Sequence, residues 1–147
     1  MKQNIIFAAT VCAFGLLVVA LNTGGKGEEP PPTFNPSKVA YGRHLVENIA
    51  LCADCHTPRA DSGELDRKQW LAGALIGFAP LAEMPWASYA PSLGMLNAYS
   101  DEQVLDLLMR GLKPDGSRPL PPMPQYRFKA DEADAVLAYL RSISSSQ

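Results

Sequence analysis

The sequence predicts an all-α domain, a small helical bundle, preceded by an N-terminal hydrophobic segment. No run among the 147 residues alternates apolar and polar positions with period two, as half-buried strands do. Apolar residues recur at helical spacing in three stretches, near 37–51, 100–111 and 131–144. Pro114, Pro119, Pro121, Pro122 and Pro124 crowd into eleven positions, a segment that can be neither helix nor central strand.

Taken in chain order, the first element is an uncharged apolar run of seventeen residues from Ile5 to Leu21, behind Lys2. It is an export signal peptide or a membrane anchor, so residues 1–21 are set apart from the fold. Val18-x-Ala20 follows the small-residue rule for cleavage. If the run is retained, Lys2 and the terminal amine hold that end in the cytoplasm and the domain faces outward. Cys12, inside this run, reads as a small apolar residue. Residues 22–36, "NTGGKGEEPPPTFNP", have the composition of a solvated, partly extended linker. The folded domain is expected over 37–147.

Within it, Val39, Leu45, Val46 and Ile49 predict an amphipathic helix from Ser37 to Leu51, with Ser37 as its cap. The stretch "LDRKQWLAGALIGFAPL" predicts a short helix or turn that opens into an irregular loop through Pro80, Pro85 and Pro91. Ser100 opens a helix with Gln103 completing a capping box, Asp101 and Glu102 at the positive end of the dipole, and Gly111 as the stop. A last helix is expected from about Asp131 to Ser144, with Val136, Leu140 and Ile143 on one stripe.

Thirteen basic against fifteen acidic residues give a net charge of −2, with no block of like charge. This excludes a nucleic-acid footprint and a polybasic membrane patch. The chemistry lies instead in "ALCADCHTPR", which holds two of the three cysteines and one of the two histidines. Cys52, Cys55 and His56 form C-x-x-C-H, the covalent attachment signature of a c-type haem. Two thiols three residues apart on one helical turn reach the two vinyl groups on one porphyrin edge, and the adjacent imidazole projects to the iron. A structural zinc site would need a second ligand pair that the chain does not have. A thioredoxin-type motif would sit beside a βαβ pattern, and a structural disulfide would not require His56. The attached macrocycle would also supply apolar surface for Trp70, Phe78, Trp86 and the loop from Ala72 to Leu96.

The sixth iron ligand decides what such a site does. His44 shares the first predicted helix, eight residues before Cys52, and reads as a helix-surface residue. Among the methionines, Met109 falls inside the strong helix, where it reads as packing, while Met84 and Met95 fall in the loop. Met123, in "RPLPPMPQY", is framed by prolines that fix φ and stiffen the segment, so its thioether would keep its place when iron changes charge. It is the favoured ligand, with Met84 and Met95 as alternatives. Lys113, Arg118 and Arg127 flank it and would steer a partner, neutralise haem propionates, or simply be solvated.

The stretches "GRHLVENIALCADCHTPR", "WLAG", "SDEQVLDLLMRGLKPDGSRPLPPMPQYRF" and "DEADAVLAYLRSI" resemble the class I mono-haem cytochrome c domains of bacterial periplasmic dehydrogenase subunits. The resemblance covers about Ser37 to Ile143. It implies a cytochrome c-like bundle around one covalently attached haem, with the first and last helices crossing and Gly42 allowing close approach to an aromatic such as Tyr139. By position, Cys52 and Cys55 would be the thioether sites, His56 the proximal ligand and Met123 the distal one. Two departures stand out: those subunits usually carry several such motifs and this chain has one, and "KAD" at 129–131 replaces the usual Ser or Thr cap of the last helix.

The expected function is therefore electron transfer by one haem c per chain with His/Met axial ligation. The chain itself would be an electron carrier and not an enzyme, shuttling between a dehydrogenase donor and an oxidase or cytochrome acceptor. The expected location is periplasmic, either soluble after signal cleavage or tethered to the outer side of the cytoplasmic membrane through residues 5–21. The alternative is a haem enzyme or sensor with a labile distal site acting on peroxide or nitrogen oxides, for which a distal acid-base group would be needed.

Overall fold

The computed structural model describes residues 34–144. The segment read as signal or anchor, Cys12 within it, and the linker up to residue 33 lie outside the described residues.

Helix α1 spans Pro36–His44. Its cap is Asn35, whose side-chain oxygen accepts from the backbone N–H groups of Ser37 and Lys38 at 3.0 and 3.3 Å. The expected cap at Ser37 is therefore displaced by two residues. Pro36 follows directly, and a proline at the first helical position loses no hydrogen bond while presetting φ. The helix does not run on as α to Leu51. It widens into a π-helix over Leu45–Ile49, closed by the Ala50 N–H donating to the Leu45 carbonyl at 2.8 Å. Leu51 then turns the chain in the left-handed region, φ 52° and ψ 36°, and α2 begins at once, Cys52–His56.

A 3-10 turn at Arg67–Gln69 leads to a hairpin of two-residue strands, β1 (Ala74–Leu75) and β2 (Tyr89–Ala90), paired antiparallel with Ala74 opposite Ala90. The expectation of helix and loop alone missed this ladder, because two residues are too few to display a period. A 3-10 helix at Leu93–Ala98 and helix α3, Asp101–Arg110, follow. The capping box at Ser100 and Gln103 forms as expected, and Gly111 ends the helix at φ 66°. Helix α4 spans Ala130–Ser144. In place of a Ser or Thr cap, the Glu132 carboxylate reaches back to accept from the Lys129 N–H at 2.8 Å.

The core gathers Leu45 and Val46 from the π-helix, Ala53, Leu71, Val104 and Leu108, and the inner face of α4 from Ala133 to Leu140. Helices α1 and α4 cross at Gly42, where a Cβ would lie 1.9 Å from the Ala135 carbonyl oxygen and 3.0 Å from the Tyr139 Cβ. Tyr139 continues the contact: its hydroxyl donates to Glu47 at 3.0 Å and accepts from the Trp70 indole N–H at 3.0 Å. Trp70 thus packs against the core and the helix crossing. At the far end of α4, Arg141 donates to the carbonyls of Leu96 and Tyr99 at 2.8 and 2.7 Å and pairs with Asp101 at 3.0 Å. One side chain thereby ties the 3-10 helix and the start of α3 to α4.

Gly42→Ala is expected to destabilise the haem-loaded domain by about 3 kcal/mol, since neither backbone can yield without separating the helices. A fall in the urea midpoint against wild type checks this, and an unchanged midpoint would contradict the crossing geometry.

Candidate haem attachment site

The attachment motif is placed by backbone conformation before any side chain contributes. The left-handed turn at Leu51 ends the π-helix and starts α2, so that Cys52, Cys55 and His56 fall within a single five-residue helix. Both cysteines are free thiols and half-buried. Burial pushes the Cys52 thiol up to about 11, with the Tyr126 hydroxyl acting in the opposite direction.

His56 is 7 % exposed and is held from three directions. Its Nδ1 lies 2.7 Å from the Pro91 carbonyl oxygen, which has no proton, so Nδ1 carries the hydrogen and donates. Its own carbonyl accepts from the Gly73 N–H at 2.8 Å. The next residue, Thr57, is buried, and its hydroxyl oxygen accepts from the Leu71 N–H at 3.0 Å. Leu71 in turn accepts from the Leu93 N–H at 2.9 Å. Burial lowers the imidazole pKa, which favours the neutral ring.

With Nδ1 engaged, Nε2 is the nitrogen left with a lone pair. A histidine oriented by a carbonyl on its other nitrogen is the usual arrangement of a metal-bound imidazole. Two free thiols one helical turn away complete a donor set that suits haem c. In the hairpin, loop and 3-10 helix that follow, Leu75, Phe78, Leu81, Tyr89 and Met95 are all at least half exposed, a large uncovered apolar area for a domain this small. Phe78 and Trp86 pack edge to face at 5.7 Å, and the Trp86 indole donates to the Phe78 carbonyl at 3.2 Å, so the loop has internal order of its own.

The four methionines of the domain separate by environment. Met109 packs against the core, as expected of a residue inside α3. Met84 and Met95 are exposed, and Met123 is half-buried. The segment around Met123 is fixed on both sides. The Ala87 N–H donates to the Pro121 carbonyl at 2.7 Å, and the Tyr126 hydroxyl donates to the Ala50 carbonyl at 2.6 Å. The first bond joins Met123's segment to the loop that carries Pro91, and the second joins it to the turn before Cys52. His44 is exposed on the first helix, its Nδ1 3.4 Å from the Asn48 amide nitrogen.

Three participants were not legible in the sequence. Pro91 acts through a backbone carbonyl, which any residue possesses. Leu51 occupies a conformation that favours glycine, so its side chain gave no hint. Tyr126 lay in plain view in "MPQYRF", two residues before Phe128, but its reach to Ala50 depends on tertiary structure.

Over residues 39–144 the chain matches the model of the cytochrome c family. It belongs to that family. It is 35 % identical over 109 residues to the fructose dehydrogenase cytochrome subunit of Gluconobacter japonicus, a match covering 69 % of this chain and 21 % of that protein. It is 53 % identical over 32 residues to the diheme cytochrome c-type protein of Cereibacter sphaeroides, covering 22 % of this chain and 11 % of the relative. The matched regions are thus about a fifth and a tenth of those relatives. As a family member the chain takes covalently attached haem c and serves haem-based electron transfer. Among the described residues no helix is long and apolar enough to cross a membrane.

Leu51 gives the site's local test. A left-handed leucine costs about 1–2 kcal/mol, part of which glycine returns through its freer unfolded chain. Leu51→Gly is therefore expected to raise the stability of the loaded domain by about 0.5 kcal/mol, and Leu51→Val to lower it, both read from thermal midpoints.

Proposed function

We propose that Cys52 and Cys55 are the thioether attachment points, that His56 Nε2 and the Met123 thioether are the two axial ligands, and that the domain carries single electrons between protein partners. The observation that supports this most strongly is the His56 geometry: a buried imidazole with Nδ1 committed to Pro91 and Nε2 free, in the same short helix as two unpaired thiols. When bound, haem c supplies the ferric/ferrous couple. The chain's residues orient and hold: Pro91 fixes the ring, Gly73 and Thr57 fix the backbone beneath it, and the proline-framed segment presents a soft sulfur donor of the kind that raises the potential.

The proposed organisation is a signal or anchor at 1–21, a tether over 22–36 whose last residue already begins α1, and the cytochrome domain over 37–147. It supports a periplasmic location, free or tethered outside the cytoplasmic membrane. The name of the Gluconobacter relative supports a dehydrogenase as electron donor, with an oxidase or another cytochrome as acceptor.

Charge distribution supports a side of approach. From Arg110 to Lys129 there are five basic residues and one acidic residue, a net +4 within a chain of net −2. Among the described residues, Arg118 and Arg127 join no ion pair, and both donate to the Gln125 side-chain oxygen, at 3.0 and 3.2 Å. Two guanidinium groups beside the methionine segment would draw an acidic partner toward it.

Visible spectra of ferric protein matured with haem-attachment machinery test the ligation. Wild type is expected to show the long-wavelength sulfur-to-iron charge-transfer band, and Met123→Ala to lose it. If wild type lacks the band and its ferrous form binds carbon monoxide readily, the distal site is open and the reading passes to a haem enzyme or sensor. The charge argument has its own test, voltammetry on a carboxylate-terminated electrode. Wild type is expected to exchange electrons in a response that salt suppresses, and the double variant Arg118→Glu with Arg127→Glu to lose most of that response at low salt.

A further inference from the structure

We propose that Tyr126 is a positioning residue, a latch whose hydroxyl ties the Met123 segment to the turn before Cys52 and thereby keeps the distal ligand seated. The inference rests on the reading of Met123 as that ligand. The Tyr126 hydroxyl donates to the Ala50 carbonyl at 2.6 Å, across 76 positions of sequence. Among the described residues the other hydrogen-bonding neighbour that the segment 112–129 meets in the stretch from Leu45 to Thr57 is the Cys52 thiol, and it too is met by the Tyr126 hydroxyl.

The phenol is aimed from behind. Its ring stacks on Phe128 with centroids 5.2 Å apart and planes 19° from parallel. Phe128 packs against the core and its N–H donates to the Leu108 carbonyl at 3.3 Å, so the stack stands on α3. Between the latch and Met123 lie Pro124 and Gln125. The proline fixes φ, and Gln125 is held by Arg118 at 3.0 Å. The lever from the hydroxyl to the thioether is therefore short and stiff, and a restraint at one end is transmitted to the other. Upstream the segment is tied to the loop through Ala87 and Pro121, and to the end of α3 through Arg118, which donates to the Arg110 carbonyl at 3.1 Å. With Tyr126 released, the segment would keep its ties to that loop and to α3 and lose its tie to the turn that leads into Cys52 and His56. Met123 would then leave its position more often.

The test compares three haem-loaded proteins: wild type, Tyr126→Phe, and Tyr139→Phe. The first variant removes the latch and keeps the ring stack. The second removes hydrogen bonds to Trp70 and Glu47 at the helix crossing and serves as the control for general loosening. The readouts are the ferric sulfur-to-iron band and the rate at which carbon monoxide binds the ferrous form, which must wait for the thioether to leave. Tyr126→Phe is expected to retain the band and bind carbon monoxide about fivefold faster, the effect of one ordinary hydrogen bond, with Tyr139→Phe near the wild-type rate. An unchanged rate in Tyr126→Phe, with the band intact in wild type, overturns the latch and leaves Met123 as ligand. Equal acceleration in both variants also overturns it, since the effect would then be loosening of the fold. If wild type has no band and Met123→Ala binds carbon monoxide no faster than wild type, the ligand reading falls and the latch with it.

Discussion

The contact on which the rest depends is the approach of α1 to α4 at Gly42, where one backbone lies against the carbonyl of Ala135 with no side chain between them. Interiors are packed to crystal-like density, so a spacing set at one point propagates. Here it sets how deep Leu45 and Val46 sit against Val136 and Leu140, and therefore where the turn at Leu51 begins α2. Tyr139, one helical turn beyond Ala135, carries the same contact outward to Glu47 and Trp70.

The site rests on that frame through backbone groups more than through side chains. Pro91, Gly73 and Ala50 each contribute a carbonyl or an N–H, and only Thr57 and Tyr126 contribute side-chain hydroxyls. Such a scaffold tolerates substitution at many positions while holding a single imidazole in one orientation. It also suits a group that changes charge: fixed dipoles that need not rearrange keep the reorganisation cost of electron transfer low.

Much of this was legible in the residues alone, for identifiable reasons. The capping box at Ser100, the stop at Gly111 and the stripe on α4 are local codes, and they formed where they were read. The C-x-x-C-H motif is legible because its chemistry fixes its spacing. Gly42 was expected to admit Tyr139, and the structure adds that the tighter partner is the Ala135 carbonyl. The cap at Asn35 was missed because Ser37 satisfied the same rule two residues later, and the proline that decides between them was read as linker. The hairpin at Ala74 and Ala90 was illegible because strands of two residues carry no pattern. The bond from the Trp70 indole to Tyr139 joins positions 69 apart in sequence, so it could not be read from local pattern. The domain's dependence on Pro91 could not be read, since a carbonyl is common to every residue.

The π-helix at Leu45–Ile49 has one more consequence. An α-helix advances about 100° per residue, so ten residues from Gly42 to Cys52 would aim the motif differently if the helix were regular throughout. The wider turn absorbs one residue of that rotation without breaking the hydrogen-bonded chain. The interval between glycine and cysteine is thus a phase condition as much as a distance. A chain with one residue fewer there, and no π turn, would bring its thiols to the same bearing, while a deletion that left the π turn in place would point them elsewhere.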